Sequence, residues 1–211
     1  MAVFRGLFRN IRKEAVPGVC VLPYRRADPM RVITGTARGR TLLTLSGDDV
    51  VRPTTDRVKE AMFSILQFEL EGRRVLDLFG GCGQLGIEAL SRGAAECTFV
   101  DRDKQAFAVI QKNLAHTGLA DRAKVLYTDS FAFLKMTPAV FDIVLLDPPY
   151  GAGLLQQALA LLQGRVAPGG VVMCELPLGE DLPEAAAGIP LYRRYKYGKT
   201  ELAVYRTGVE L

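Results

Sequence analysis

Histidine, cysteine and long apolar runs are all scarce in this chain, and each scarcity removes a class of chemistry. The one histidine, His116, stands where a helical stretch runs into Thr117-Gly118 and reads as a solvated helix-end side chain, not as a general base. The four cysteines, Cys20, Cys82, Cys97 and Cys174, are widely separated, which excludes a CxxC zinc knuckle, a redox dithiol and a dense disulfide framework. That usage fits a reducing compartment, and the expected localisation is cytoplasmic. With no HxxxH pair and no carboxylate cluster, no metal is expected. No apolar run approaches the roughly 20 residues of a bilayer span, and the stretch from Val16 to Tyr24 is broken by Pro17, Gly18 and Pro23. Neither a membrane span nor a secretory signal is therefore expected. Internal repeats and low-complexity tracts are absent as well.

What the chain does have is apolar bulk: 49% of its 211 residues are hydrophobic, enough for one domain with a substantial core. The net charge of +4 conceals an asymmetry. Residues 1–60 carry twelve Arg or Lys against six Asp or Glu, residues 61–191 carry ten against fifteen, and residues 192–206 carry five against one. Basic ends around an acidic middle suit a catalytic body whose appendages meet a polyanion, because neutralised phosphates supply most non-specific affinity for nucleic acid. A merely solvated basic face fits the charge equally well.

Residues 1–29 show no sustained periodicity and contain Pro17, Gly18, Pro23 and Pro29, so they read as an irregular extension outside the core. Residues 30–50 read as a small basic β-hairpin that carries Arg38 and Arg40. A catalytic core from 51 to 211 follows. It opens with a helix from about Asp56 to Leu70, in which Val58, Met62, Ile65 and Phe68 recur at helical spacing. Strands and helices then alternate, the pattern of a parallel sheet covered on both faces. Arg74–Phe79, Cys97–Val100, Val125–Thr128, Asp142–Leu146 and Gly170–Leu176 read as strands; Gln84–Ser91, Lys104–His116 and Leu154–Leu162 read as helices. Leu191–Tyr197 and Glu201–Arg206 read as a closing antiparallel pair around Gly198. Tyr192, Tyr195 and Tyr197 interleave there with Arg193, Arg194 and Lys196, a pattern equally suited to stacking RNA and to an ordinary strand.

Chemistry gathers at the strand ends. Val75-Leu76-Asp77-Leu78-Phe79-Gly80-Gly81-Cys82-Gly83 is a buried strand feeding a glycine turn and a helix, the geometry that lets a backbone approach a nucleotide closely. Asp101 follows 24 residues after Asp77, at the end of the next strand, where an acid can reach ribose hydroxyls. Gly81, Gly83 and Gly86 match the G-x-G-x-x-G spacing of a nicotinamide-cofactor site. Asp77 at the strand end, and the next motif, weigh against that reading. Asp147-Pro148-Pro149-Tyr150 comes directly after the apolar strand Ile143-Val144-Leu145-Leu146. An exocyclic base amine is a poor nucleophile because its lone pair is delocalised into the ring. Asp147 and the Pro148 carbonyl can accept both its hydrogens, the prolines stiffen the turn, and Tyr150 offers a ring for stacking on an extruded base.

Glycine turn, strand-end acid and DPPY in this order resemble the class I methyltransferases that use S-adenosylmethionine (SAM). More narrowly, Met30-Arg31-Val32-Ile33, Arg38-Gly39-Arg40, Arg52-Pro53-Thr54-Thr55-Asp56-Arg57-Val58, Leu85-Gly86-Ile87-Glu88-Ala89-Leu90-Ser91-Arg92-Gly93-Ala94 and DPPY resemble the RsmD family over roughly residues 30–206. The family usually has Ala-Gly-Ser-Gly where Gly80-Gly81-Cys82-Gly83 stands here, and its chains often begin near Met30. The resemblance implies a Rossmann-like α/β fold with a mostly parallel seven-stranded sheet. It implies methylation of the N2 amine of the 16S ribosomal RNA guanine conventionally numbered 966, with 16S rRNA in the small ribosomal subunit as partner. It further implies that Asp77, Gly81 and Gly83 shape the methionine end of the SAM pocket, that Asp101 takes the ribose, and that Asp129 with Ser130 borders the adenine, with Phe79 a further cofactor-binding residue. Asp147, Pro148 and Tyr150 would act on the guanine, and Arg38, Arg40, Arg52 and Arg57 would meet RNA. The rival readings are a DNA adenine or cytosine amino-methyltransferase, a protein-glutamine methyltransferase and a non-catalytic RNA-binding module.

Overall fold

Strands that are apolar at every position, as in Ile143-Val144-Leu145-Leu146, must be covered on both faces. The computed structural model, which describes residues 30–45, 56–151 and 153–206, meets that requirement with helices above and below one sheet. In chain order the elements are α1 (Asp56–Ile65), β1 (Arg74–Asp77), α2 (Gln84–Ser91), β2 (Glu96–Asp101), α3 (Lys104–Thr117), β3 (Ala123–Tyr127), α4 (Ser130–Met136) and β4 (Phe141–Leu146). The chain continues with α5 (Leu154–Leu161), β5 (Val166–Pro177), β6 (Ala185–Ala186), β7 (Ile189–Tyr197) and β8 (Thr200–Arg206). Their spatial order is β3-β2-β1-β4-β5-β8-β7-β6. Pairing is parallel from β3 through β5 and antiparallel from β5 outward, so the seven expected strands are joined by the two-residue β6 at one edge.

Side-chain alternation sorts the core into two layers. Val75, Phe99, Ile143, Leu145 and Met173 face Met62 and Phe63 of α1, Ile87 of α2 and Ile110 of α3. Leu76, Val100, Val144, Leu146 and Cys174 face Leu134 of α4 and Leu155 and Leu159 of α5. From β1 the chain winds to β2 and β3 on one side, then returns to β4 and β5 on the other. The order therefore reverses between β1 and β4, and a doubly wound sheet binds ligands beyond the carboxyl ends of its strands at such a point.

The expected basic hairpin is present in minimal form: residues 30–45 hold one antiparallel bridge, Arg31 with Thr41, flanked by Val32 N–H donating to the Arg40 carbonyl at 2.9 Å and Leu42 N–H donating to the Met30 carbonyl at 2.8 Å. Other backbone donors of the segment go to α2 and α3. Ile33 and Thr34 N–H donate to the Glu88 carboxylate at 2.7 and 3.0 Å, Ala37 N–H donates to Ser91 Oγ at 2.9 Å, and Leu43 N–H donates to Asn113 Oδ1 at 2.8 Å. Gly35, at φ +87°, lies so close to the Ser91 carbonyl that an added Cβ would fall 1.8 Å from its oxygen. Val32, Ala37 and Leu42 are buried in the same layer as α1 and α2. The segment is thus part of the body. The expected extension 1–29, residues 46–50 of the hairpin and Arg52 lie outside the described residues. Among the described residues no helix is long and apolar enough to cross a membrane.

Candidate active site

Every strand of the switch region delivers an acid or a hydroxyl to one cavity of about 730 Å³. Its lining includes Asp77 from the end of β1, Phe79 and Gly81 from the glycine turn, Asp101 from β2, Asp129 and Ser130 after β3, and Asp147 to Tyr150 after β4. Met30 and Leu45, the two ends of the first described segment, line it too. Such a volume lies within the range of roughly 300–1,000 Å³ common to cofactor sites.

The glycine turn owes its shape to backbone that side chains would obstruct. Gly81 has φ +54°, and a Cβ there would meet only the Phe79 carbonyl oxygen, 4.0 Å away, so a side chain would project into the cavity the glycine lines. Gly83, at φ +81°, is the N-cap of α2 and packs beneath the turn against Ile87 and Ile110; it is not among the lining residues. Asn113 on α3 holds the turn from outside, donating to the Cys82 carbonyl at 2.8 Å and to the Leu43 carbonyl at 3.0 Å. One side chain therefore ties the cofactor turn to the N-terminal segment. Glu88, Ser91 and Asn113 were not expected as site-building residues; Glu88 and Ser91 are polar residues within the largely apolar α2, whereas Asn113 stands among the other polar residues of α3 and gives no such signal.

Asp77 is 1% exposed and accepts the Gly86 N–H at 2.9 Å. Burial pushes its carboxyl up to about 8 despite that hydrogen bond, and the Asp147 and Asp101 carboxylates push in the same direction. Asp101 Oδ2 accepts the Gly81 N–H and Oδ1 the Asp103 N–H, both at 2.8 Å. Its carboxylate thus shapes the turn as well as facing the cavity. Asp129 caps α4, with Oδ1 accepting the Phe131 and Ala132 N–H groups at 3.0 Å. Ser130 Oγ donates to the Leu78 carbonyl at 2.7 Å, fixing the start of α4 against β1. In the DPPY loop Asp147 is half-buried, Pro148 buried and Tyr150 53% exposed, so the ring is presented to an incoming group. The Tyr150 hydroxyl lies 3.5 Å from Oε1 of Glu175, a buried carboxylate on β5 that sequence reasoning did not single out. Partial burial pushes that hydroxyl up to about 12, and the Glu175 and Asp147 carboxylates push it the same way, so it stays a neutral donor.

The predicted RNA arginines within the described residues, Arg38, Arg40 and Arg57, are not among the residues lining the cavity. Arg38 and Arg57 are exposed, whereas Arg40 donates from Nη1 to the His116 carbonyl at 3.2 Å, at the carboxyl end of α3.

A family model described as conserved hypothetical protein 95 matches residues 30–206, the whole of the fold described above. The chain belongs to this family, the RsmD family. Within the family it is similar to YlbH of Bacillus subtilis, with 38% identity over 84% of this chain and 98% of that one. It is similar to ribosomal RNA small subunit methyltransferase D of Escherichia coli, with 35% identity over 84% and 89%. The solved structure of yhhF from Escherichia coli superposes with a TM-score of 0.76 at 35% identity, covering 85% of this chain and 98% of that one. Outside this degree of similarity, an RNA methyltransferase from Salinibacter ruber, solved with S-adenosyl-L-homocysteine, shares the fold at a TM-score of 0.59 and 18% identity, over 76% of this chain and 96% of that one. The fold is that of a Rossmann-like class I methyltransferase.

Proposed function

We propose that this chain transfers the methyl group of SAM to the exocyclic N2 of a guanine in 16S ribosomal RNA, the guanine numbered 966, within the small ribosomal subunit. One observation carries the reading: the DPPY loop and the strand-end acids Asp77, Asp101 and Asp129 line a single cavity at the switch point of the sheet. Family membership, and a ribosomal RNA methyltransferase among the relatives, support the substrate class.

The lining fits the cofactor chemically. Gly81, Asp77, Phe79, Asp101, Asp129 and Ser130 all line the cavity, and in this reading Gly81 leaves room for the methionine end, Asp101 would accept the ribose hydroxyls, and Asp129 with Ser130 would border the adenine. Bound SAM supplies an electrophilic methyl group on a sulfonium. The chain's own task is to make a weak amine reactive. Asp147 and the Pro148 carbonyl accept the two N2 hydrogens and turn the nitrogen lone pair toward the methyl, while the Tyr150 ring stacks on the base. With SAM bound, the methyl would pass from the sulfonium to the amine nitrogen, and the Asp147 carboxylate would take the proton that the amine sheds and release it to solvent. Catalysis on this account is mostly proximity and orientation. Arg38, Arg40, Arg52 and Arg57 are assigned to the RNA.

Single-turnover methylation of 16S rRNA at saturating SAM tests the roles. Asp147→Ala is expected to be worst, by on the order of 100-fold to 1,000-fold as for loss of one preorganised electrostatic contact. Tyr150→Ala should follow, and Tyr150→Phe should stay near wild type because the 3.5 Å contact to Glu175 is long. SAM affinity should be similar in all three. Near-normal turnover of Asp147→Ala would remove the amine-positioning role.

A further inference from the structure

The C-terminal basic stretch carries a surface that the site above does not use. Strand β7 points Tyr195 and Tyr197 into the layer that also holds α1 and residues 32–42, while Arg194 lies on the opposite face. Arg194 is fully engaged: it grips Glu201 through Nε and Nη2 at 2.7 and 2.9 Å and donates to the Glu180 carbonyl at 2.8 Å. That pairing holds the Glu201 carboxyl below its ordinary range. Arg206 is likewise engaged, through two bonds of 2.7 Å to Glu69.

Arg193 differs from both. It is exposed, pairs with no carboxylate among the described residues, and is held by aromatic faces instead: its guanidinium carbon lies 5.6 Å from the Tyr192 ring centre and 5.9 Å from that of Tyr195. Arg206 stacks on the Tyr192 ring at 5.4 Å, so Tyr192 is itself clamped. Cation–π contacts use the charge of a guanidinium and not its N–H donors, which stay available to a ligand. A planar cation fixed in this way is preorganised for a bidentate anion such as a phosphodiester. With Glu201 and Glu69 already neutralised by Arg194 and Arg206, neither carboxylate offsets it.

The register places this cation relative to the reaction. Arg193 pairs with Val204, Val204 with Met173, and Met173 with Leu145, two residues before Asp147. Three strand spacings separate β7 from β4, about 14 Å at the usual inter-strand distance. That span suits nucleotides flanking an extruded base, not the base itself.

We propose that Arg193, clamped by Tyr192 and Tyr195, is a second RNA contact that binds the sugar–phosphate backbone beside the target nucleotide and supplies affinity without taking part in methyl transfer. The proposal rests on the RNA-methyltransferase reading. Its test is binding of the full chain to naked 16S rRNA and to the assembled small subunit across a salt titration, for wild type, Arg193→Glu, Arg193→Lys and Tyr192→Ala. Arg193→Glu should weaken binding to naked RNA by about tenfold or more and lower the salt slope by about one phosphate contact. Arg193→Lys should restore part of that affinity, and Tyr192→Ala should lose several-fold by about the same mechanism of a loosened guanidinium. SAM affinity, melting temperature and single-turnover rate at saturating RNA should not move. An unchanged salt slope overturns the proposal. So does a loss seen only with the assembled subunit when wild type also binds naked RNA, which would make the surface a contact for a ribosomal protein, and so does a fall in melting temperature that matches the loss of binding. If wild type itself neither binds nor methylates rRNA, it is the parent reading that fails, and the wild-type arm alone reveals it.

Discussion

Replacing Glu88 with alanine is expected to loosen the wall of the cofactor cavity from a position outside it. Glu88 is fully buried on α2, and its two oxygens accept the Ile33 and Thr34 N–H groups and Arg92 Nε at 2.7, 3.0 and 2.8 Å. Hydrogen bonds to a charged group contribute about 1.5–3 kcal/mol each, but these three share one carboxylate and are not additive. Removing one partner of a buried ion pair costs about 3–5 kcal/mol, because the other charge stays behind. Arg92, only 14% exposed, is that stranded charge. Lys59 adds to it: fully buried, its ammonium donates to the Arg31 carbonyl at 2.6 Å, and burial lowers its pKa while Glu88 works to raise it. Glu88→Ala should therefore lose about 3–5 kcal/mol in equilibrium urea unfolding. It should also open residues 30–45 to proteolysis and weaken SAM binding, since Met30 and Leu45 line the cavity. Glu88→Gln keeps one acceptor oxygen and should lose about 1–3 kcal/mol. Stability of Glu88→Ala within about 1 kcal/mol of wild type, with protease resistance intact, would refute the network.

Asp101→Ala should weaken SAM binding by about 1.5–3 kcal/mol in calorimetry while single-turnover chemistry at saturating SAM stays normal; unchanged affinity in a folded variant would sink the ribose assignment. Asp77, raised to about 8 from 3.8, favours its protonated form in the folded chain, so the native state binds the extra proton between those values and stability should fall as pH rises from about 4 to 8. Asp77→Asn should flatten that part of the stability–pH curve, and an unaltered curve would show that Asp77 does not cause it. Gly35→Ala combines a positive φ with a Cβ inside the Ser91 carbonyl, and a loss of more than about 2 kcal/mol is expected in urea unfolding; a neutral result would mean that the segment moves freely off α2.

Strand and helix order was legible because the hydrophobic period changes cleanly along the chain. Lys104–Thr117 was read to within a residue, with Asp103 capping one end and Gly118 the other. Asp77, Asp101, Asp129 and Asp147 were legible for a related reason: each follows an apolar strand, so a parallel sheet must bring them to one edge. Helix α4 was missed. At seven residues it is too short for a period, and its one signal, the Asp129 cap, had already been assigned to the cofactor. The anchoring of the basic hairpin on α2 and α3 was not legible, because local alternation cannot show where its remaining backbone donors go. Their acceptors, Glu88, Ser91 and Asn113, lie 54 to 70 residues away in sequence. Lys59, one of the twelve Arg and Lys counted in residues 1–60, is buried, and the backbone carbonyl that holds it comes from that same segment.

The central claim is chemical, and product mapping addresses it most directly. Wild type and Asp147→Ala would be incubated with methyl-labelled SAM and, separately, with small ribosomal subunits, naked 16S rRNA and duplex DNA, and the labelled nucleoside identified after digestion. The account predicts N2-methylguanosine from a single position of 16S rRNA, made by wild type and reduced at least about 100-fold by Asp147→Ala. Label on DNA, on protein, or on any other atom of the RNA would contradict it.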